Sequence, residues 1–364
     1  MAKKNTNFFR DMVKEMADPD TFMLDDGLHS SEFTGSIDTG SYILNAALSG
    51  SLFGGVPNNK IVAFAGREAT GKTFFVLGLV KKFLDDNNDA GVIYYDSEAA
   101  VTKAMMADRG IDTSRVVLSE QVTIEGFRTH AKRALDKYLE ADENSRPKMM
   151  MVLDSLGMLS TGKEVDDITT DKKNAEGQST KDMTRPGLIR GAFRVLSLRL
   201  AKAKVPMLVT NHTYDKVGSY TPEQEMGGGS GLKYAASQIV FLSKKKDRDG
   251  KDVIGNIIHC KMNKSRLTKE NKMVDVRLSY DSGLNRYYGL LELAEKYEIL
   301  KKTGTRFEMP DGSKVFGKTI EENPEKYFTK ELLELLELCA AKEFKYGKHE
   351  DLPPDDETDE ESAE

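Results

Sequence analysis

The 364-residue chain has no tryptophan and only two cysteines, Cys260 and Cys339. The cysteines lie far apart and lack CxxC spacing, which argues against a zinc site or a disulfide framework and leaves both as reduced structural residues. No apolar run approaches the roughly 20 residues that a membrane-spanning helix needs. The N-terminal stretch MAKKNTNFFRDMVKEM has no apolar segment of signal-peptide length. A cytoplasmic location is therefore expected. No physical account of the missing tryptophan offers itself.

A surplus of positive charge is also lacking, since the formal net charge is -6. At first this argues against a nucleic-acid partner, but the charge is unevenly placed. Residues 350 to 364 hold nine acids and no Lys or Arg, so the remainder carries 53 basic against 50 acidic residues. A like-charged block with Pro353 and Pro354 cannot bury a core and is expected to be disordered. It reads either as a solubilising end or as an electrostatic lid that competes with DNA phosphates for basic residues.

Hydrophobic residues make up 39% of the chain and charged residues 31%, the balance of a globular protein of one large domain with appendages. Helices are expected at Asn7 to Met16 and Ser41 to Leu48, the second broken by Gly50, Gly54, Gly55 and Pro57. Short apolar strands are expected at Lys60 to Ala65, Gly91 to Asp96, Lys148 to Asp154 and Val205 to Thr210. Helices between them carry Phe75, Leu79 and Phe83, fill Thr102 to about Ala141, and span Leu188 to Lys204. The alternation predicts an α/β fold with a mostly parallel, doubly wound sheet. After Ala235 the pattern changes to strands. Gln238 to Ser243 and Val253 to Lys261 flank the turn at Asp247 to Gly250, a hairpin, and Met273 to Ser279 adds one more. From about Leu290 a small, charged helical region follows.

The clearest chemical signal is Gly66, Arg67, Glu68, Ala69, Thr70, Gly71, Lys72 and Thr73, which matches G-x-x-x-x-G-K-[ST] between a predicted strand and a predicted helix. Its glycines let backbone N–H groups wrap phosphates, and the helix N-terminus adds a favourable dipole. Lys72 can reach the β- and γ-phosphates of ATP, and the Thr73 hydroxyl can ligand Mg²⁺. The run MMMVLD ends in Asp154, a carboxylate at the edge of a buried strand that can hold the Mg²⁺ water shell. Glu98, in YDSE at the end of the intervening strand, is the candidate general base for water, against the alternative of a solvated loop acid.

Further segments accompany these in order: Gly40-Ser41, Leu44-Asn45, Ala47 to Gly50, YDSE, Leu153 to Gly157, Thr210 to Tyr214, Met226 to Gly229, and Asn263 to Arg266. Together they resemble the UvsX-type phage recombinases of the RecA family and, more distantly, bacterial RecA, from about residue 34 to about 300. The resemblance implies a RecA-like core at 34–290 with a mostly parallel central sheet, an N-terminal polymerisation segment at 1–33 and a C-terminal region at 291–348 before the acidic tail at 349–364. It implies a DNA-dependent ATPase that forms filaments on single-stranded DNA and catalyses homologous pairing and strand exchange. The helpers it implies are single-strand-binding and loader proteins.

Residue by residue, the resemblance makes Glu98 the catalytic glutamate and places His212 where bacterial RecA senses the γ-phosphate through a glutamine. A histidine can still hydrogen-bond phosphate; the alternative is a satisfied surface or core histidine. Lys264 and Arg266 match two basic residues that reach the γ-phosphate of a neighbouring subunit, like an arginine finger. Tyr234 falls where an aromatic residue packs across the filament interface. On the nucleotide side, Met105 occupies a position where relatives often stack a tyrosine on adenine, and Tyr280 is a further candidate. For polymerisation the candidates are Phe8, Phe9 and Thr21 to Leu24.

Two long segments, Thr161 to about Met183 and Thr213 to Gly231, read as functional loops and resemble the family's DNA-binding loops. The run Gly227, Gly228, Gly229 exposes N–H groups that can hold phosphates without reading sequence. Met183, Arg185, Arg190 and Arg194 are the accompanying DNA-binding candidates, with a plain solvated charge as the alternative for each arginine. A hexameric helicase on the same core, a non-catalytic accessory protein and a small-molecule kinase are the competing readings. Intact Lys72, Thr73, Glu98 and Asp154 argue against the accessory protein. No kinase lid or acceptor site is visible, and the Gly-rich loop with the basic hairpin favours a recombinase over a helicase.

Overall fold

The computed structural model describes residues 3–18, 20–26, 32, 35–170, 183–215 and 224–347. The acidic tail and the middle of the first candidate loop lie outside the described residues. Helix α1 (Lys3–Met16) is followed by a two-stranded sheet of β1 (Ser36–Ile37) and β2 (Val56–Pro57), which brackets α2 (Tyr42–Ser49). Ser41 caps α2 by accepting from the Leu44 N–H, and Gly50 ends it in the left-handed region at φ 74°.

The core then alternates strand and helix: β3 (Ile61–Gly66), α3 (Lys72–Asp86), β4 (Gly91–Asp96), α4 (Lys103–Asp108), β5 (Val116–Ser119), α5 (Ile124–Glu140), β6 (Met149–Asp154), α6 (Gly162–Thr169), α7 (Arg185–Ala203) and β7 (Met207–Asp215). After it come β8 (Gln224–Met226), α8 (Ser230–Ala235), β9 (Gln238–Asp249), β10 (Asp252–Ser265), β11 (Met273–Ser279) and β12 (Gly283–Leu284). One sheet runs in the order β12-β11-β10-β9-β3-β7-β6-β4-β5, with β8 paired to β7. The run from β9 to β5 is parallel. The others pair antiparallel.

Helices on both faces make two apolar cores. One joins α2, α3 and the C-terminal helices to the sheet, with Phe64 stacked on Phe75 at 6.0 Å. The other joins α5 and α7, through Phe127, Phe193 and Leu196. The central strands are therefore covered on both sides, which is why MMMVLD reads as unbroken apolar sequence rather than as alternation.

The C-terminal region differs from the expected helical stretch. After α9 (Leu290–Lys296), the strands β13 (Lys301–Thr303), β14 (Arg306–Glu308) and β15 (Lys314–Phe316) form a separate antiparallel sheet. Helices α10 (Gly317–Glu322), α11 (Pro324–Tyr327) and α12 (Lys330–Phe344) complete it. Lys302 over Phe307 and Arg306 over Phe316 hold these short strands by cation–π contacts, which charged sequence alone does not announce. Three other expectations are corrected. The span 102–141 contains strand β5, which is paired on one side only. The segment after Thr161 begins as helix α6, fixed by a capping box between Thr161 and Glu164. Strand β7 runs on to Asp215, so the second loop begins there and not at Thr213. Both cysteines are free and buried.

Candidate functional site

The C-terminal ends of the parallel strands set the site. Register pairs Gly66 with His212 across β3 and β7, and Asp96 with Asp154 across β4 and β6. Strand β7 lies between the phosphate-loop strand and the strand carrying Asp154. Residues 66 to 73 leave β3 and turn into α3, whose first turn begins at Gly71 with φ 98°. That backbone conformation strains any residue other than glycine. Gly66 is needed for another reason, since a Cβ there would lie 2.6 Å from the Leu242 carbonyl oxygen on β9. Thr70 Oγ1 donates to the Arg67 carbonyl at 2.8 Å and closes the loop.

Lys72 is folded back, its Nζ donating to the carbonyls of Gly66 at 3.1 Å and Arg67 at 2.9 Å. Burial pulls its pKa down, and the charges of Glu98, Asp154 and Glu68 oppose that. Its ammonium is thus held at the loop centre by weak acceptors that an anion would displace.

Thr73 Oγ1 donates to Asp154 Oδ2 at 2.9 Å. The same oxygen accepts from the Tyr94 hydroxyl at 2.7 Å, and Oδ1 accepts from Thr210. Burial and the Asp154 charge push the Tyr94 pKa up, so its hydroxyl stays a donor. Asp154 is therefore oriented from two neighbouring strands and a helix. The adjacent Ser155 donates from Oγ to Glu98 Oε1 at 2.6 Å, and His212 Nε2 lies 3.0 Å from the same oxygen. Burial raises the Glu98 pKa, but these two bonds with the nearby His212 and Lys72 outweigh it and hold the carboxyl below its ordinary value. Asp96 takes the backbone N–H groups of Glu98, at 3.0 Å, and Val101, at 3.0 Å, which fixes the turn that presents Glu98.

The structure thus brings Lys72, Thr73, Asp154, Glu98 and His212 into one cluster. It adds Ser155, Tyr94, Thr210 and Asp96, which sequence reasoning left without a role. The motif LDSLG carried Ser155 in view, but nothing in spacing could say that its hydroxyl meets Glu98. Arg67 leaves the loop outward and pairs with Asp215, both half-exposed.

Lys264 and Arg266 lie elsewhere. Cys260 is level with Leu242, which pairs with Gly66, so Lys264 sits four residues, roughly 13 Å, down the strand from the phosphate loop. Lys264 Nζ donates to the carbonyls of Lys233 at 2.5 Å and Ala236 at 2.7 Å, and Arg266 to that of Tyr234 at 3.0 Å. Burial and the Arg266 charge bring the Lys264 pKa down to about 8. The Tyr234 ring is exposed beside them.

On the nucleotide side, Met105 packs partly against the apolar core, and Tyr280 is exposed with its hydroxyl 3.4 Å from Asn256 Nδ2. Among the DNA candidates, Met183 is 78% exposed. Arg194 is exposed, and Arg190 reaches Ser230 Oγ at 3.2 Å. Arg185 instead turns inward to the Gly157 carbonyl at 2.5 Å.

The glycine run is not simply open. The Gly227 N–H donates to His212 O at 3.1 Å, so that group is already engaged. Gly228 and Gly229 adopt positive φ, and a Cβ on either would crowd Ile189 or Pro186 of α7. Asn211 Nδ2 donates to Gly227 O at 2.9 Å, which fastens the run to β7.

Sheet order, phosphate loop and the Thr73–Asp154 pair define a phosphate-loop nucleotide-binding protein. The RecA N-terminal domain model matches residues 17–285, and the chain belongs to the RecA family. It is 30% identical over 252 residues to the "Recombination and repair protein" of Enterobacteria phage T4, covering 69% of this chain but only 61% of that protein's length. It is 26% identical over 299 residues to Protein RecA of Lactobacillus johnsonii, covering 80% and 77%. To Protein RecA of an Arthrobacter strain it is 25% identical over 296 residues, covering 79% and 78%. Among the described residues no helix is long and apolar enough to cross a membrane.

Proposed function

We propose that this protein is an ATP-dependent DNA recombinase that polymerises on single-stranded DNA and catalyses homologous pairing and strand exchange in recombination, repair and recombination-dependent replication. The observation that carries the reading is a continuous chain of contacts. Glu98 meets His212, and the His212 carbonyl and the Asn211 amide both hold Gly227 at the root of the second candidate DNA loop. A γ-phosphate that draws on Glu98 or His212 thereby acts on the loop, and DNA on the loop acts back on the site.

In this reading ATP phosphates take the place of the carbonyls around Lys72. Thr73 and Asp154 offer a hydroxyl and a carboxylate oxygen, a hard pair that suits Mg²⁺ with the rest of its shell from phosphate and water. Held there, such an ion would supply charge neutralisation for the β- and γ-phosphates. Glu98, ionised at neutral pH, accepts the proton of the attacking water, and His212 orients it or senses the γ-phosphate. Lys264 and Arg266 sit too far from their own loop and serve a neighbour's nucleotide. Met183, Arg190, Arg194 and the segment at Gly227 to Gly229 contact DNA backbone, with Arg185 positioning the helix from below. Binding is sequence-tolerant and salt-sensitive.

The division into a polymerisation segment at 1–33, a core at 34–290 and a C-terminal region at 291–348 belongs to the same reading. Exposed Phe8, Phe9, Phe22 and Leu24 favour a contact made by the N-terminal segment. The protein works in the cytoplasm of a bacterial host, with single-strand-binding and loader proteins as partners.

The test is ATP hydrolysis with and without single-stranded DNA, together with electron microscopy of the same samples and a strand-exchange assay. Stimulated turnover, helical filaments and exchanged strands support the proposal. Closed rings without exchange favour a helicase, and a protein that neither responds to DNA nor assembles refutes it.

A further inference from the structure

One charged group beside the phosphate loop has no role in the account above. Arg109 follows α4, is half-buried, and among the described residues its guanidinium forms no ion pair and no hydrogen bond. Its one side-chain partner is an aromatic ring, since Cζ lies 5.2 Å over the centroid of Phe74. Phe74 is the residue after Thr73, in the first turn of α3. It meets Phe75 edge-on at 5.9 Å, and Phe75 stacks on Phe64 of the central strand. The ring that supports Arg109 thus rests edge-on against a core residue.

Successive residues fan about 100° around a helix. Lys72 turns to the loop carbonyls and Thr73 to Asp154, so Phe74 points to a third side, toward α4. With the γ end of a triphosphate at Lys72 and Glu98, its nucleoside leaves past this first turn. Met105, the α4 residue at the position where relatives often stack a tyrosine on the base, packs partly against the apolar core and offers no plane to stack. A guanidinium plane seated over a ring can take a second planar group on its opposite face, and such a plane stacks on a purine as it does on an aromatic side chain.

We propose that Arg109, supported by Phe74, is the nucleoside-recognising side chain of the ATP site, its guanidinium plane lying against the base. The inference rests on the phosphate-loop reading, and the two can fail separately. Full-length wild type, Arg109→Ala, Arg109→Lys and Phe74→Leu are titrated calorimetrically with Mg-ATP and with Mg-tripolyphosphate, which has the phosphates and no nucleoside.

The wild type is expected to bind both, ATP more tightly. Each variant is expected to lose about tenfold in ATP affinity, the scale of one stacked base. Tripolyphosphate affinity should stay within about threefold, as for the loss of one solvated charge. Arg109→Lys fails to rescue, because an ammonium has charge without a plane. Equal losses for both ligands make Arg109 a phosphate contact and overturn the inference, as do full rescue by lysine or unchanged ATP binding in Arg109→Ala. A wild type that binds neither ligand overturns the phosphate-loop reading and the inference with it.

Discussion

Ser155→Ala isolates the orientation of Glu98 from its chemistry. The serine hydroxyl is fully buried and donates to Glu98 Oε1 at 2.6 Å, and among the described residues that oxygen has one other hydrogen-bond partner, His212 Nε2 at 3.0 Å. A hydrogen bond to a charged group contributes about 1.5 to 3 kcal/mol. If half or more of that is expressed in positioning the base, turnover falls by between about fourfold and about 160-fold. ATP binding is unchanged, because Ser155 touches neither Lys72 nor Thr73.

The same bond helps hold the Glu98 carboxyl below its ordinary value against the effect of burial. Its removal raises that pKa, so the carboxylate is lost at a higher pH on acidification. The acid limb of the ATPase profile therefore moves toward neutrality, while the plateau drops. The assay is DNA-stimulated hydrolysis at saturating ATP across pH, paired with nucleotide binding. An acid limb and a plateau that both match wild type would refute the idea that Ser155 positions the base.

Glu98→Gln should keep ATP and DNA binding and slow hydrolysis by at least about a hundredfold, the range of general-base removal; normal turnover removes Glu98 from that role. Lys264→Ala with Arg266→Ala should depress ATPase only in the assembled state, and mixing it with Lys72→Ala subunits tests action in trans, since restored turnover requires sites shared between subunits. Lys264, with its pKa brought down to about 8 by burial and Arg266, loses its charge as pH rises through that value. Filament ATPase should therefore decline above about pH 8 and hold in Lys264→Arg; coincident profiles contradict this. Glu343 is half-buried, yet hydrogen bonds from Lys272, Lys296 and Tyr297 pull its carboxyl from 4.5 to about 2. Its contribution is present above pH 4.5 and lost as pH falls toward 2. Glu343→Gln should cost about 1 to 2 kcal/mol at pH 7 in chemical denaturation, a figure reduced because both lysines reach solvent. The gap should close at acid pH, and an equal gap at pH 7 and pH 2.5 would falsify the assignment.

Much of the fold was legible because burial on both faces leaves a plain mark. Gly91–Asp96 and Met273–Ser279 fall where apolar runs placed them, and the hairpin at Asp247 to Gly250 only proved longer in both arms. The misses share a cause. Strand β5 has Val117 and Leu118 exposed on an open edge, so its apolar residues look like the face of a helix. The C-terminal strands are three residues each, too short for a period of two to register.

The site divides in the same way. A phosphate loop is local, because its chemistry needs eight consecutive residues, and sequence displays it whole. Glu98 depends instead on Ser155, 57 residues on, and His212, 114 residues on, and only the parallel register of β4, β6 and β7 brings the three together. The glycine run has a second reason that composition does not show. It suggested N–H groups for phosphate, and Gly228 and Gly229 also adopt positive φ where a Cβ would crowd α7. Lys264 and Arg266 show the limit of a single chain. Among the described residues these two cations turn onto backbone carbonyls at the end of α8 and form no ion pair, which suits the proposed contact with another subunit's nucleotide, since an anion is a stronger acceptor than a neutral carbonyl.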